Sequence, residues 1–595
     1  MTRARPWLAL TALLLGACAS ASGIRPDPEA ATTSTSVAPA TTSTTVPVSD
    51  YGGTVVIGVG GGGSPRTLNP FLDGPDTAVL DLIAPAVFAK GYDVGQGAMT
   101  LVPNVLEAIP SVAAGTVVDL GDGTIQVSAT VATGAMWADG VPITAEDLAY
   151  TVLVASDPAL PIRSDVAQRY AGILVESLDP QGRTLTFRMH ASTEYELMFD
   201  VIIPRHAVEG SDFADAWNST MWVAGGPFQF ESWIPGQSLE LTRNDSYWRT
   251  TQDDGPLPFL DRVIFRFYEP GPDPDPRLFD GFASRELDVV TLPSIDDDAA
   301  EYEALGGVEL VAAGTTSWDY VSFQFGPANR NEDSLNRHLS FRRAIAHAID
   351  RNGLAAQRGT VGLTSALSPY GDYGATLWDR YPHDPGNAAA LIGELGLDLG
   401  ADLTLGAGPP VVVTVPADDA PVIALAGQVV TMLREAGFDA QLQLEDAATF
   451  YGPTFDNGTW DVSVGRFTAG PGIARAAAFA VVFDPAGLPF VGNNFFRWGT
   501  IDSTVSNEAT EEYEALVDSL QGEADPAEVE RLVERAEEIL ADQVVIIPLV
   551  VDGRAGFAYR SGELAGPSLD AVGGVTWGIG SWTRRVTDPV ASTNP

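Results

Sequence analysis

The sequence predicts a mixed α/β fold. From Tyr51 onward, short runs rich in β-branched residues alternate with amphipathic helical segments, and no fixed-period repeat is present. The segment VVIIPLVV at 544–551 is apolar on both faces, which is typical of a strand inside a sheet. With 595 residues, the chain is long enough to form several cores. These observations predict a multidomain protein in which helices pack on sheets.

The first 50 residues carry targeting signals. Arg3 and Arg5 precede an apolar run that is too short to span a bilayer, so residues 1–18 are typical of an export signal. Their end, Leu-Gly-Ala-Cys, resembles the bacterial lipobox, which predicts that Cys18 carries lipid; secretion after a simple cleavage is the alternative. Residues 19–50, rich in Ser, Thr, Ala and Pro, predict a disordered tether, and residues 586–595 a flexible tail.

The folded part begins with TVVIGVGGGGSPRTLNP at 54–70, a strand followed by glycines. Gly58, Gly60 and Gly63 match the G-x-G-x-x-G pattern of dinucleotide-binding loops. Such a loop needs a helix at the third glycine to hold the phosphates, and here Pro65 and Pro70 follow instead. We therefore expect a strand and a turn, without a nucleotide.

The helices show recognisable ends. Thr144 is the expected N-cap of one helix, with two acidic residues in its first turn, and Asp525 followed by Pro526 begins another. The remaining predictions are a helix over SFRRAIAHAIDRNG that ends at Gly353, a helix over PVIALAGQVVTMLREAGF that closes at Gly437, and a strand over DAQLQLED.

Composition and motifs exclude several classes of function. The formal net charge is −45 and the chain has one lysine, Lys90, so a nucleic-acid partner is not expected. Cys18 is the sole cysteine, which excludes internal disulfides and cysteine-based metal sites. The chain has no phosphate-binding P-loop, no H-E-x-x-H and no G-x-S-x-G motif. We therefore expect no cofactor, no metal and no enzymatic activity.

Five motifs in order resemble those of the family 5 bacterial solute-binding proteins, the peptide- and nickel-binding receptors of ABC importers. They are GGTVVIGVGGGGSPRTLNPF at 52–71, MWADGVPITAEDLAYT at 136–151, GGPFQFESWIPGQSLELTRNDSYW at 225–248, FRRAIAHAIDR at 341–351 and REAGFDAQLQL at 434–444. Together they span most of the chain after the tether.

The resemblance implies a periplasmic binding protein-like type II fold, with two main lobes around a ligand cleft and an inserted domain. Lobe I would comprise residues 51–95, 215–312 and 548–585, the inserted domain II residues 96–214, and lobe III residues 313–547. Closure of lobes I and III on a solute would be recognised by a membrane permease. The resemblance thus implies an exported, lipid-anchored and monomeric receptor. Sensing without transport, through the same fold, is the alternative.

The resemblance also implies a ligand site. Tyr320, Phe467 and Trp498 would face the cleft, with Gln324, Asn494, Leu68 and Asn69 as further ligand-binding residues. In the peptide receptors, an aspartate three residues after the cleft aromatic binds the free amino group of the peptide, whereas this chain has Gly470 there. Since a buried ammonium without a carboxylate is costly, we expect a blocked peptide, an oligosaccharide or another polar solute without a free α-amine. Another of the 78 acidic residues could replace the missing aspartate.

Overall fold

The computed structural model describes most of the chain after Tyr51. The described ranges are 51–60, 63–72, 77–95, 99–251, 255–268, 276–292, 295–314, 316–326, 334–371, 373, 376–395, 410–487, 492–500, 507–552, 554–569 and 574–585. The predicted export signal, Cys18, the tether 19–50 and the tail 586–595 lie outside them. Across these ranges, no helix combines the length and the apolar character that crossing a bilayer requires.

Helices and strands alternate along the chain, so the predicted mixed α/β fold is confirmed. The strands are β1 (Thr54–Val59), β2 (Tyr92–Val94), β3 (Leu101–Pro103), β4 (Val117–Asp119), β5 (Thr124–Thr130), β6 (Ile173–Gln181), β7 (Thr184–His190), β8 (Phe228–Ile234), β9 (Ser238–Arg243), β10 (Arg262–Phe267), β11 (Val289–Leu292), β12 (Glu309–Gly314), β13 (Ser317–Phe323), β14 (Val411–Pro416), β15 (Ala440–Glu445), β16 (Val462–Thr468), β17 (Ile546–Val551), β18 (Arg554–Tyr559), β19 (Leu564–Ala565) and β20 (Thr583–Arg584). The helices are α1 (Thr77–Val87), α2 (Ala145–Ala155), α3 (Ser164–Tyr170), α4 (Arg205–Val208), α5 (Pro276–Ala283), α6 (Ile295–Glu303), α7 (Leu339–Ala348), α8 (Arg351–Gln357), α9 (Pro385–Glu394), α10 (Ala420–Glu435), α11 (Ala447–Thr449), α12 (Phe455–Asn457), α13 (Ile473–Val481), α14 (Glu508–Leu520) and α15 (Pro526–Gln543).

Three sheets organise the molecule. The first has the order β12-β18-β11-β1-β10-β9-β8, and β1 runs parallel to both of its neighbours. The second has the order β15-β14-β16-β13-β17, with β13 antiparallel to β16 and β17. The third has the order β4-β5-β7-β6 and is antiparallel throughout. The first and third sheets share one hydrophobic core, whereas the second packs with α7, α10 and α15 in another.

Several predicted element ends are confirmed. Helix α2 follows Thr144, whose amide donates to the Asp147 carboxylate over 2.8 Å. The Asp525 carboxylate accepts from the amide of Ala527 at the start of α15. Gly437 ends the α10 segment with a φ of 92°, a left-handed conformation that favours glycine. β17 is almost wholly buried, as its apolar sequence predicts.

The predicted helix that ends at Gly353 is wrong, because two helices occupy the segment. α7 ends at Ala348, since Ile349 is extended with φ −90° and ψ 120°. Asp350 then caps α8 by accepting from the amide of Gly353 over 2.8 Å. A Cβ at position 353 would lie 2.3 Å from the Asp350 carboxylate, so this glycine makes room for the cap at the start of a helix.

The glycines after β1 do not form a dinucleotide loop. Residues 63–72 contain no helix, so no helix N-terminus stands where a phosphate would need one. Gly58 lies inside β1, where a Cβ would approach side-chain atoms of Leu287 and Leu278 to 2.7 and 3.0 Å. Close packing between sheet and leucines therefore requires the glycine at this position.

The three sheets correspond roughly to the expected lobes and domain, but strands β12 and β17 each extend beyond an expected lobe end. β17 pairs with β13, so the second sheet extends to Val551, beyond the expected limit at residue 547. β12 pairs with β18, so the first sheet extends to Gly314, beyond the expected limit at residue 312. The expected lobe bounds themselves stay a prediction.

Candidate functional site

An aromatic cavity of about 470 Å³ opens where the second sheet meets α3. We call it the aromatic cavity because its walls include eight aromatic residues: Tyr320, Tyr370, Tyr451, Phe455, Phe467, Phe479, Phe495 and Phe496. Ser164, Asp165 and Gln168 of α3 contribute to it from the side of the third sheet. Its volume falls in the range of about 300–1,000 Å³ that is usual for small-molecule sites.

The register of β13 and β16 places the central aromatic side chains. Trp318 pairs with Phe467 and Tyr320 pairs with Gly465, so all four positions lie on one face of the sheet. A Cβ at Gly465 would be 2.7 Å from the Tyr320 hydroxyl, so the tyrosine ring lies directly over the glycine. The ring of Phe467 is then stacked on that of Tyr320, and the edge of Phe479 meets Phe467 with centroids 5.3 Å apart.

A buried ionic network holds β16 beside the cavity. Asp319 is fully buried, with Arg466 at 3.0 Å and Arg358 at 2.9 Å, and Arg466 also lies 2.9 Å from Asp552. Burial raises the pKa of Asp319, while the two guanidinium groups act in the opposite direction. Arg466 lines the aromatic cavity, but its positive charge is already paired with Asp319 and Asp552 of the protein.

A second cavity of about 260 Å³ adjoins the aromatic one; Asp165 and Arg475 line both. We call it the charged cavity because of its further charged residues: Lys90, Arg163, Arg169, Asp81, Asp93 and Asp200. Lys90, the only lysine of the chain, lies 2.6 Å from Asp200. The positive charge of Lys90 lowers the pKa of Asp200, and the negative charge of Asp200 raises the pKa of Lys90. Both shifts oppose the effect of burial. Residues from α1, α3 and the start of α13 meet here.

The structure brings three of the predicted ligand residues together. Tyr320, Phe467 and Gly470 line the aromatic cavity. Burial raises the pKa of the Tyr320 hydroxyl, which therefore stays protonated and can donate. Gly470 lies at the end of β16, next to Arg475 of α13: a Cβ at 470 would be 3.2 Å from Cγ of that arginine.

The other predicted ligand residues of the second sheet do not line this cavity. Gln324 is buried, donates to the Phe495 carbonyl over 3.0 Å and accepts from the Gly326 amide over 2.9 Å. Asn494 is buried and donates to the carbonyls of Asp484 and Trp498. Trp498 is fully buried with its ring edge on Tyr513, at a centroid distance of 5.2 Å. These contacts hold the three side chains inside the protein, and their part in ligand binding stays a prediction.

Leu68 and Asn69 are also internal. Leu68 is fully buried in the core of the first and third sheets. Asn69 donates to the Phe213 carbonyl over 2.9 Å and accepts from the Phe71 amide over 3.1 Å. The amide of Asn69 therefore fixes the turn after β1, and neither residue lines the two cavities.

The sequence reasoning missed Arg475. This residue is half-buried in α13, where it is the single charged residue in the apolar segment IARAAAFAV. A lone charge in a helix of small and apolar residues is the signal that could have identified it. A search of the described residues for three or more His, Cys, Asp or Glu side chains able to hold a metal ion finds no such group.

The fold is that of the periplasmic-type solute-binding proteins. Residues 121–481 match the model of the bacterial extracellular solute-binding proteins, family 5 Middle, and the chain belongs to this family. The resemblance found in the five motifs is thereby confirmed.

Known relatives and structures are similar to this chain to different extents. A protein of Brucella ovis, provisionally named as an ABC transporter peptide-binding protein, is 26% identical over 278 residues, which are 44% of this chain and 48% of the relative. The chain thus spans about half the length of the curated relatives that it matches. HbpA2 from Haemophilus parasuis has a TM-score of 0.69 at 16% identity, with 90% of this chain and 100% of the other covered. AppA from Bacillus subtilis in complex with a nonapeptide has a TM-score of 0.58 at 17% identity, with 90% and 99% covered. These likenesses show the type II fold.

Proposed function

We propose that this protein is the extracytoplasmic solute-binding receptor of an ABC importer. It captures a peptide-like or other small polar solute by closing its lobes and delivers it to a membrane permease. The observation that carries the proposal is the composition of the aromatic cavity, whose walls come from the second sheet and from α3. A solute in this cavity contacts two parts of the molecule at once, which favours a closed state.

Family membership and one relative support the substrate class. The family is described as one of extracellular solute-binding proteins, and the Bacillus subtilis structure contains a nonapeptide. Tyr320 and Phe467 line the cavity with aromatic side chains, and the peptide receptors' acid is absent at Gly470. We therefore propose a solute without a free α-amine: a blocked peptide, an oligosaccharide or a similar polar molecule. The protein binds its solute without turnover.

Three experiments test the receptor function. Native mass spectrometry of protein purified from its source identifies a solute that copurifies, and calorimetry with that solute measures its affinity. Small-angle scattering then compares the free and bound forms. We expect saturable binding, an unchanged solute after incubation and a smaller radius of gyration in the bound form. Binding without compaction contradicts closure, and conversion of the solute contradicts a receptor without turnover.

The proposal includes the placement of the receptor. Lobe I comprises residues 51–95, 215–312 and 548–585, domain II residues 96–214, and lobe III residues 313–547, as the sequence predicts. Cys18 carries the lipid that holds a monomeric receptor at the outer face of the cytoplasmic membrane, with residues 19–50 as the tether. Expression of Cys18→Ala should release the protein into the soluble fraction. A variant that stays bound to membranes as firmly as the wild type contradicts this placement.

A further inference from the structure

We propose that Arg475 is a specificity-determining residue that binds a carboxylate group of the solute. The inference rests on the proposed receptor function and adds the chemical class of the ligand. Arg475 lines both the aromatic and the charged cavity, so this residue lies where the two meet. A solute whose apolar part lies against the aromatic walls can reach the arginine with an anionic end.

Arg475 differs from the other cations of the two cavities in its pairing. Lys90, Arg163, Arg169 and Arg466 each have a carboxylate within 3.1 Å. Within the part of the chain that the structure describes, the Arg475 side chain has neither a carboxylate partner nor a hydrogen-bond acceptor. This is unexpected in a chain with 78 acidic and 33 basic residues, where an acid is available to almost every cation.

The acidic residue that lines both cavities together with Arg475 is already paired with other arginines. Asp165, which lines both cavities beside Arg475, lies 3.1 Å from Arg163 and 2.9 Å from Arg169. These two arginines lower its pKa despite burial, so Asp165 is ionised and paired. The positive charge of Arg475 is therefore left for a partner that the described residues do not supply.

The backbone around Arg475 also favours an anionic ligand. Arg475 is the third residue of α13, and the N-terminal end of this nine-residue helix adds partial positive charge to that of the side chain. Gly470 carries no side chain beside the arginine, where even a Cβ would lie 3.2 Å from its Cγ. The planar guanidinium group can therefore bind a carboxylate with two parallel hydrogen bonds.

Matched pairs of probes test this inference by calorimetry. The first pair is a library of N-acetylated tri- to pentapeptides with free C-terminal carboxylates and the same library as C-terminal amides. The second pair is oligogalacturonate and neutral oligogalactose of equal length. We expect the wild type to bind the carboxylate member of one pair at least tenfold more tightly. Arg475→Gln should remove this preference and keep the affinity for the neutral member, while Arg475→Lys should retain part of it.

Arg531→Gln is the control, because it removes the same charge from an exposed site on α15. It should keep the wild-type preference, and a thermal unfolding scan shows that each variant is folded. Equal binding of both members by the wild type, or a preference that survives in Arg475→Gln, overturns the inference and leaves the receptor proposal standing. A wild type that binds no member of either pair and no copurified solute contradicts the receptor proposal and this inference together.

Discussion

The ring of Tyr320 lies parallel to that of Phe467, with centroids 4.4 Å apart and planes inclined by 18°. The two residues are on neighbouring antiparallel strands and are diagonal in register, since Tyr320 pairs with Gly465. The glycine leaves the space that the tyrosine ring occupies. A stack of this kind contributes about 0.5–1.5 kcal/mol beyond the buried area and fixes one wall of the aromatic cavity.

We expect Gly465→Ala to weaken solute binding, because the new methyl group would displace the Tyr320 ring from its stack. The affinity for the copurified solute should fall roughly tenfold, as expected for about 1.4 kcal/mol. Gly427→Ala is the control, since that glycine is helical and no atom lies within 4 Å of the added Cβ. Calorimetry measures both variants. Wild-type affinity in Gly465→Ala would show that the stack does not shape the site.

We expect Trp498→Ala to act on stability, because the indole is fully buried against Tyr513. The free energy of unfolding should fall by about 3–5 kcal/mol, as for other buried aromatic truncations. Denaturant unfolding measures the loss, and calorimetry below the transition should give an affinity within about twofold of the wild type. An unchanged stability together with a large loss of affinity would assign Trp498 to the ligand instead.

Local sequence patterns predicted several ends of helices and strands. Caps such as Thr144 and Asp525 act through neighbours in sequence, so local patterns identify them. The resemblance led to Tyr320, Phe467 and Gly470 because all three sit on or just after strands whose positions the motifs define.

The hydrogen-bond partners of buried polar side chains cannot be predicted from local sequence patterns. Gln324 and Asn494 have the polar amides of a ligand site, yet their partners are backbone carbonyls that only the folded loops bring near. Arg475 was missed for the opposite reason. The role of Arg475 depends on which carboxylates lie near it in the folded protein. Ion pairs between residues far apart in sequence, such as Arg466 and Asp319, cannot be predicted from the spacing of residues along the chain.

We expect Tyr195→Phe to favour the open form. The Tyr195 hydroxyl donates to the Ala524 carbonyl over 2.9 Å and so joins the segment before α4 to the start of α15, 329 residues away. Loss of one hydrogen bond of about 1 kcal/mol should lower the closed fraction and the affinity about fivefold. Scattering should show less compaction than in the wild type at the same subsaturating solute concentration. Tyr381→Phe removes a similar bond to Ala541 within the hydrophobic core of the second sheet, so it should leave the compaction unchanged.

We expect Glu537 to make stability depend on pH. Burial raises its pKa to about 7, although the Ser365 hydroxyl donates to it over 2.9 Å. Because the folded pKa lies above the ordinary value of 4.5, the contribution to stability is complete below that value and is lost as the pH rises through about 7. Thermal unfolding at several pH values between 4 and 8 measures the loss.

Glu537→Gln isolates this effect, since its amide stays neutral throughout. Its stability should fall less between pH 5 and 8 than that of the wild type, by roughly 1.4 kcal/mol for each pH unit of the pKa shift. Burial also raises the pKa of Glu196 to about 7, and this contribution is common to both proteins. Glu534→Gln on the exposed face of α15 should keep the wild-type profile. Identical profiles for Glu537→Gln and the wild type would rule out Glu537 as the titrating group.

The last prediction concerns the acid that this chain lacks at Gly470. A carboxylate introduced there by Gly470→Asp would lie beside Arg475 and face the aromatic cavity. It would partly neutralise the arginine and supply a partner for an ammonium group, and a charge-assisted hydrogen bond contributes about 1.5–3 kcal/mol. The variant should therefore bind peptides with free amino groups about ten- to a hundredfold more tightly than the wild type and lose preference for carboxylates. Gly470→Asn has nearly the same shape without the charge, so calorimetry with free-amino and N-acetylated peptides should separate the two variants. If Gly470→Asn gains the same affinity, shape rather than charge decides, and if the wild type already binds free-amino peptides tightly, another acid has replaced the missing aspartate.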